Sequence, residues 1–200
     1  MQMALNQVSD IQMGLTARER LEPMETGTPV IQLRDLQPDG RFNPGGLIKC
    51  QLGAVAPRYL VTNGDILFRS RGDKNTAAMV AGLGSASVAV LPLVIIRPKT
   101  AVVQPDYLSW FINSEWTQEY FNKTAQGTKL RMISRADLEA LPIDVPDLCT
   151  QERIVEVERL AAEERRLSLQ LMDIRRRVLT SKLRGLARAS RPTNKVVLLS

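Results

Sequence analysis

Two groups of side chains in this sequence are typed and spaced for chemistry. In Arg69-Ser70-Arg71-Gly72-Asp73-Lys74-Asn75-Thr76, cations and amide or hydroxyl donors directly follow an apolar run. A rigid scaffold would hold them together on one exposed loop. Arg69, Ser70, Arg71, Lys74 and Asn75 suit phosphates and guanine edges; alternatively, Asp65 and Asp73 pair with the arginines on a merely solvated loop. The second group is Gln126-Gly127-Thr128-Lys129-Leu130-Arg131-Met132. In an extended chain Lys129 and Arg131 share one face, while Leu130 and Met132 anchor the other. Gln126 suits adenine, Lys129 or Arg131 guanine, and Thr128 phosphate. From Phe121 to Arg135 there is no acid against Lys123, Lys129, Arg131 and Arg135, so Arg135 joins the candidate set.

Other chemistries fall away. The chain has no His, which excludes a Ser-His-Asp triad, a His-ligated zinc and an imidazole base. No catalytic or metal-ligating residue is assigned. Cys50 and Cys149 stand 99 positions apart, neither a metal-ligand spacing nor a secreted disulfide framework, so a reducing cytoplasm is the expected compartment. With no His or Asn base available in a His-free chain to form a thiolate pair, Cys149 reads as a small structural residue. Asn43-Pro44-Gly45-Gly46 lacks the second Pro and the aromatic of an amino-methyltransferase loop and reads as a polar turn. Gly82-Leu83-Gly84 lacks the third Gly of a dinucleotide fingerprint, and no Gly-Lys-Ser/Thr P-loop occurs. Asp65, after Asn63-Gly64, is expected to cap its own backbone rather than ligate a metal.

These groups must be positioned by elements that the pattern predicts. Strand-like runs fill the first hundred residues: Pro29–Leu33, Tyr59–Thr62, Asp65–Phe68 and Ser87–Arg97, the last a buried strand interrupted by Pro92 and too short to span a bilayer. Asn63-Gly64 between two runs is a two-residue hairpin signal. Pro105-Asp106 opens a helical segment in which Leu108, Phe111, Ile112, Trp116 and Tyr120 recur at helical spacing. Its rings read as core, with a base-stacking platform as the other option. Ser134 with Asp137 signals an N-cap, and Pro142 ends the short helix. Leu141–Leu148 is a proline-stiffened exit.

The last quarter differs in kind. Residues 1–149 hold 15 basic and 15 acidic side chains, whereas 150–200 hold 12 and 6, so the whole +6 charge lies there. Beyond Asp173 there is no acid. Between Thr150 and Ala189 there is no Pro, and Val157, Leu160, Leu167, Leu171, Ile174 and Val178 fall on a 3,4-spaced series broken only by Glu164. That is a coiled-coil seam, which then steps over to Leu179, Leu183 and Leu186 as a stutter would. Some forty residues would make a rod of roughly 60 Å, whose seam needs another helix. The alternative is a helix folded back on its own domain. The domains expected are 1–148 and 149–200. The high basicity favours a polyanionic partner.

The order of motifs resembles one target recognition domain and one helix of the specificity (S) subunit of type I restriction-modification enzymes. The likeness runs from Val8-Ser-Asp-Ile-Gln-Met-Gly14 through Pro29-Val-Ile31, Asp35-Leu36 and Gly64-Asp-Ile-Leu-Phe-Arg-Ser-Arg-Gly72. It continues with Pro105-Asp-Tyr-Leu108, Gly127-Thr128, Ser134 to Leu138, Leu141-Pro-Ile-Asp-Val-Pro146 and Gln151-Glu-Arg-Ile-Val155. The resemblance implies a mixed α/β, sheet-rich recognition domain that reads double-stranded DNA in the major groove, followed by a long spacer helix. It implies no catalysis and no cofactor on this chain. A methyltransferase partner would bind S-adenosylmethionine and flip the target adenine, and a motor-nuclease partner would cut unmodified sites. Family members usually carry two such halves with antiparallel helices, and this chain resembles one half. A homodimer through the helix would read a bipartite, palindromic target. The other reading is a coiled-coil adaptor of a related DNA-defence system that binds proteins rather than DNA.

Overall fold

The computed structural model describes residues 1–17, 21–37, 39–72, 74–125 and 131–189, with the side chains of residues 131 and 189 outside that description. Strand β1 (Gln2–Ala4), the single turn α1 (Leu5–Val8) and β2 (Ser9–Met13) lead into β3 (Thr28–Ile31), β4 (Ile48–Cys50), β5 (Leu60–Val61), β6 (Ile66–Arg69), β7 (Arg71–Gly72), β8 (Ala77–Met79), β9 (Ser87–Ala89) and β10 (Leu93–Pro98). Then come α2 (Pro105–Asn113), α3 (Glu115–Thr124), β11 (Arg131–Met132), α4 (Arg135–Glu139), β12 (Pro142–Asp144) and α5 (Leu148–Ala189). The class is mixed α/β with a long C-terminal helix. Among the described residues no helix is long and apolar enough to cross a membrane.

The central sheet has the order β2-β10-β6-β8, all antiparallel. Strands β6 and β10 are covered on both faces. Ile66, Phe68, Val94 and Ile96 join Leu108, Phe111, Ile112 and Phe121 in one core. The intervening Leu67, Leu93 and Ile95 join Ile31, Leu36, Val61 and Ala89 in another. Double burial explains why these strands read as unbroken apolar runs instead of alternating ones. A second sheet, β4-β3-β9-β5, lies beyond the latter core, with only β3 and β9 parallel.

Two local expectations are overturned. Asn63-Gly64 does form a turn, with Gly64 at φ +93° and Asp65 N bonded to Thr62 O at 3.1 Å. It joins no hairpin, however: β5 pairs with β9 in the second sheet and β6 with β10 and β8 in the central one, where each is buried. Ser87–Arg97 is likewise not one strand. Pro92 has no N–H to give a ladder, and the chain crosses at Val90–Pro92 from the second sheet into the central one. The 105–120 segment is helical but breaks at Ser114, whose extended backbone (ψ 154°) and side-chain acceptor cap α3 at Thr117 N.

The aromatic cluster is mostly core. Tyr107, Phe111 and Phe121 are buried, while Trp116 is 53% exposed. Tyr107 donates to Asp144 O at 2.6 Å; burial, with Asp144 nearby, pushes its hydroxyl up to about 12. That bond ties α2 to β12, which in turn pairs with β1 (Met3 opposite Ile143). Ser134 caps α4 as expected, accepting from Asp137 N at 3.1 Å. The long helix begins two residues before Thr150, because Asp147 accepts from Thr150 N at 2.9 Å. The chain divides into one unit of Met1–Val155 and a second beginning at Glu156. The division falls after Val155 rather than after Leu148, because Gln151 is buried and Ile154 and Val155 pack against the core of the first unit.

Gly14 lies where the chain leaves the central sheet, its N bonded to Leu93 O at 2.8 Å. A Cβ there would stand 2.7 Å from Val90 C and 2.8 Å from Leu93 O, both backbone atoms that cannot give way. Gly14→Ala is therefore expected to lower unfolding stability by about 2 kcal/mol or more. Gly53→Ala, with nothing within 4 Å of the new carbon, is the neutral control. Urea midpoints measure both.

Candidate nucleic-acid interface

The first basic group occupies the connection from β6 to β8. Alternation along β6 decides where its cations go. Ile66 and Phe68 face the helices, so Leu67 and Arg69 face the second sheet. Arg69 accordingly turns inward and Nη1 donates to Leu36 O at 3.4 Å. Its Nε and Thr76 Oγ1 are buried without a hydrogen-bond partner among the described residues. Ser70 and Asn75 are also buried. Ser70 Oγ donates to Pro92 O at 2.6 Å, and Asn75 Nδ2 donates to Arg69 O at 2.9 Å. Arg69, Ser70 and Asn75 were expected on the exposed loop. All three are instead turned to backbone carbonyls: Asn75 closes the connection on itself, while Arg69 and Ser70 tie it to Leu36 and Pro92.

Arg71 and Lys74 point outward. Both are exposed and neither has an ion pair among the described residues. Asp65 makes none with this loop. It accepts from Thr62 N at 2.9 Å and faces Arg97 Nε at 3.4 Å. Burial raises its carboxyl above the ordinary value, against the lowering pull of Thr62 N–H and Arg97. The expectation that it caps its own turn describes the first of these bonds. Asp73 lies outside the described residues.

The second basic group comes to the first. Arg131 pairs with Gly72 and Met132 with Arg71 in an antiparallel ladder, and Ile133 N continues it to Ser70 O at 2.9 Å. Gly72 sits at φ +144°, backbone that favours glycine, at the position paired with Arg131. Gln126, Thr128 and Lys129 lie outside the described residues, and of Arg131 only the backbone is described. Met132, expected as a buried anchor, is 44% exposed; the anchor on this strand is Ile133, at 3%. Arg135 opens α4 and pairs with Glu139 at 2.6 Å. Such an exposed pair contributes about 0.5 kcal/mol or less, too little to withhold Arg135 from an anion. Gln118, which the sequence reading missed, buttresses the loop by donating to Asn75 O at 3.0 Å. A helical polar residue beside buried Thr117 was its only signal.

No group of three or more metal-ligating side chains occurs among the described residues. Asn43 accepts from Gly45 N at 3.1 Å, as a turn residue does. In the second unit, the seam residues Val157, Leu160, Leu167, Leu171, Ile174 and Val178 are 47–66% exposed. Arg159–Glu156, Arg166–Glu163 and Arg177–Asp173 pair along the same helix.

No family model matches the sequence, and no curated protein does. Solved structures do match. One from a type I R-M system, concerning its complex assembly and conformational transition, is 23% identical with a TM-score of 0.63 over 88% of this chain and 43% of that one. The HsdS subunit of Thermoanaerobacter tengcongensis is 20% identical, TM-score 0.61, over 96% of this chain and 40% of that one. The S subunit of the type I restriction-modification system of M. genitalium is 13% identical, TM-score 0.53, over 96% and 46%. This chain has the fold of these S subunits and spans less than half their length.

The geometry separates holding residues from exposed ones. Ser70→Ala and Asn75→Ala should each lower unfolding stability by about 1–3 kcal/mol, because each removes a buried hydrogen bond to one backbone carbonyl, Pro92 O and Arg69 O respectively. Arg71→Ala should stay within about 0.5 kcal/mol of wild type. Denaturant unfolding of the three variants checks this.

Proposed function

We propose that this chain is a non-catalytic DNA-recognition component of a type I restriction-modification assembly. The observation that carries the reading is the β7–β11 ladder, which makes neighbours of two basic segments 60 residues apart in sequence (Arg71 and Arg131). The S-subunit fold supports it. Arg71, Lys74, Arg131 and Arg135, with Gln126, Thr128 and Lys129, are the groups proposed to meet duplex DNA. Cations among them fix the register on phosphates, and the forked or amide side chains read base edges. Methylation with S-adenosylmethionine and cleavage belong to partner subunits, in the cytoplasm and without a membrane.

The second proposed element is a dimer through α5. Its residues 148–173 hold six acids and four bases, whereas 174–189 hold six bases and no acid. Parallel pairing would set the two basic ends side by side, while antiparallel pairing sets each against the acidic end of its partner. Antiparallel pairing of identical helices creates a two-fold axis, hence two recognition units and a bipartite target. Leu171→Glu, at the middle of the seam, is expected to convert dimer to monomer in sedimentation equilibrium without loss of the recognition unit's fold.

Duplex binding measured by fluorescence anisotropy should weaken steeply with salt, and Arg71→Ala or Lys74→Ala should each reduce the log–log salt slope by about 1. Arg131→Ala should lower the preference for target over random duplex about tenfold or more, whereas Arg188→Ala should not. Equal losses on both duplexes would argue against base reading by Arg131. Absence of binding at low salt, with the methyltransferase present, would sink the proposal in favour of a protein-binding adaptor.

A further inference from the structure

The ladder that joins the two basic segments carries an apolar side chain on its outer face. Ile133 N donates to Ser70 O at 2.9 Å, and these two residues stand opposite one another in the register that pairs Met132 with Arg71. Antiparallel ladders alternate between hydrogen-bonded and non-hydrogen-bonded pairs, so Met132 and Arg71 form a pair of the second kind. In such a pair the Cα atoms stand about 4.5 Å apart and the side chains lie closest. Directly opposite residues project to the same face. Burial assigns the two faces. Ser70 and Ile133 are buried, and Ser70 Oγ donates to Pro92 O of the connection into the central sheet. Met132 and Arg71 face outward, the cation without an ion pair among the described residues.

Folding gains little from Met132, since its neighbour Ile133 already anchors the strand. What the outer face offers is a soft, adaptable apolar side chain beside a free cation, on a ribbon whose other face is fixed. The major groove admits a two-stranded ribbon, and its base edges carry a projecting apolar group, the C5-methyl of thymine. That methyl lies at the end of the edge nearest its own strand, whose phosphates suit Arg71. The other bases present donors and acceptors there, and an apolar side chain set against those costs their hydration.

We infer that Met132 is a specificity-determining residue that reads the C5-methyl of a thymine, while Arg71 beside it holds a phosphate of the same strand. The inference rests on the DNA-recognition reading above and adds to it a base and a side chain that charge alone does not select.

The test uses the full chain and a target selected from random duplexes by the wild-type protein. Each thymine is replaced singly by deoxyuridine, which removes the methyl and leaves the pairing edge unchanged, and affinity is measured at fixed salt by fluorescence anisotropy. At one thymine, deoxyuridine should weaken wild-type binding about fourfold, the worth of one methyl taken from water. Met132→Ala should bind thymine and deoxyuridine duplexes equally at that position, whereas Met132→Leu, still apolar, should keep a difference of about twofold or more. Arg71→Ala should keep the thymine preference while lowering the salt slope. Urea midpoints of the Met132 variants should match wild type, because the side chain is exposed, so that the loss is not one of folding. A selected target without thymine, or a deoxyuridine effect that is absent in wild type or persists unchanged in Met132→Ala, would overturn the inference alone. A wild-type protein that binds no duplex overturns the recognition reading and this inference together.

Discussion

The structure depends on a central sheet that is dry on both faces. Strands β6 and β10 bury Ile66, Leu67, Phe68 and Leu93, Val94, Ile95, Ile96 almost completely. Neither strand can carry a polar side chain until its end, and at that end the chemistry collects. Leu93 pairs with Arg69, Pro92 O accepts Ser70 Oγ, and Ser70 O accepts Ile133 N. The basic connection is thus anchored to the doubly buried sheet through its own backbone and hydroxyl. Exposed cations held this way lose little conformational freedom on meeting an anion, because the loop beneath them is already ordered.

Much of this was legible in the residues. The long helix, the Ser134 cap, the burial of Tyr107, Phe111 and Phe121, and the presence of two basic segments all follow from local pattern, where sequence neighbours are spatial neighbours. What local pattern could not supply was pairing. Asn63-Gly64 specifies a turn but not which strands flank it as partners, and burial chose β9 and β10 for them. Two residues of β7 and two of β11 are too few to announce a ladder, so the convergence of the basic segments was invisible. Arg69 is the instructive error: its charge suggested a surface residue, while its register with Leu67 already assigned it to the inner face.

Several polar groups of the interior satisfy backbone. Asp35 accepts from Gln32 N at 2.7 Å, and burial raises its carboxyl despite that bond and nearby Arg34. Asp65 does the same for the turn between the sheets. For such a group the sign is unfavourable at neutral pH: a carboxyl raised in the folded state contributes stability below the ordinary carboxylate range and loses it as pH rises through the raised value. Asp65 is retained at that cost because it closes a turn and receives Arg97, which also donates to the Arg58 and Leu60 carbonyls of the neighbouring segment. Conformational definition, not net charge pairing, is what these residues supply.

The second unit obeys different energetics. Six seam side chains about half exposed represent roughly 6 kcal/mol of burial still available per helix, at about 1 kcal/mol each. The ion pairs along the helix contribute only about 0.3–0.5 kcal/mol apiece and weaken with salt. Charge pairing within one helix therefore cannot replace burial of the seam, and a single helix of this kind draws most of its stability from tertiary packing. The charges do something else: with acids confined to residues before Ile174, they distinguish one direction of pairing from the other. In any pairing of this helix, burial of the seam would supply the drive and the order of charge would select the direction.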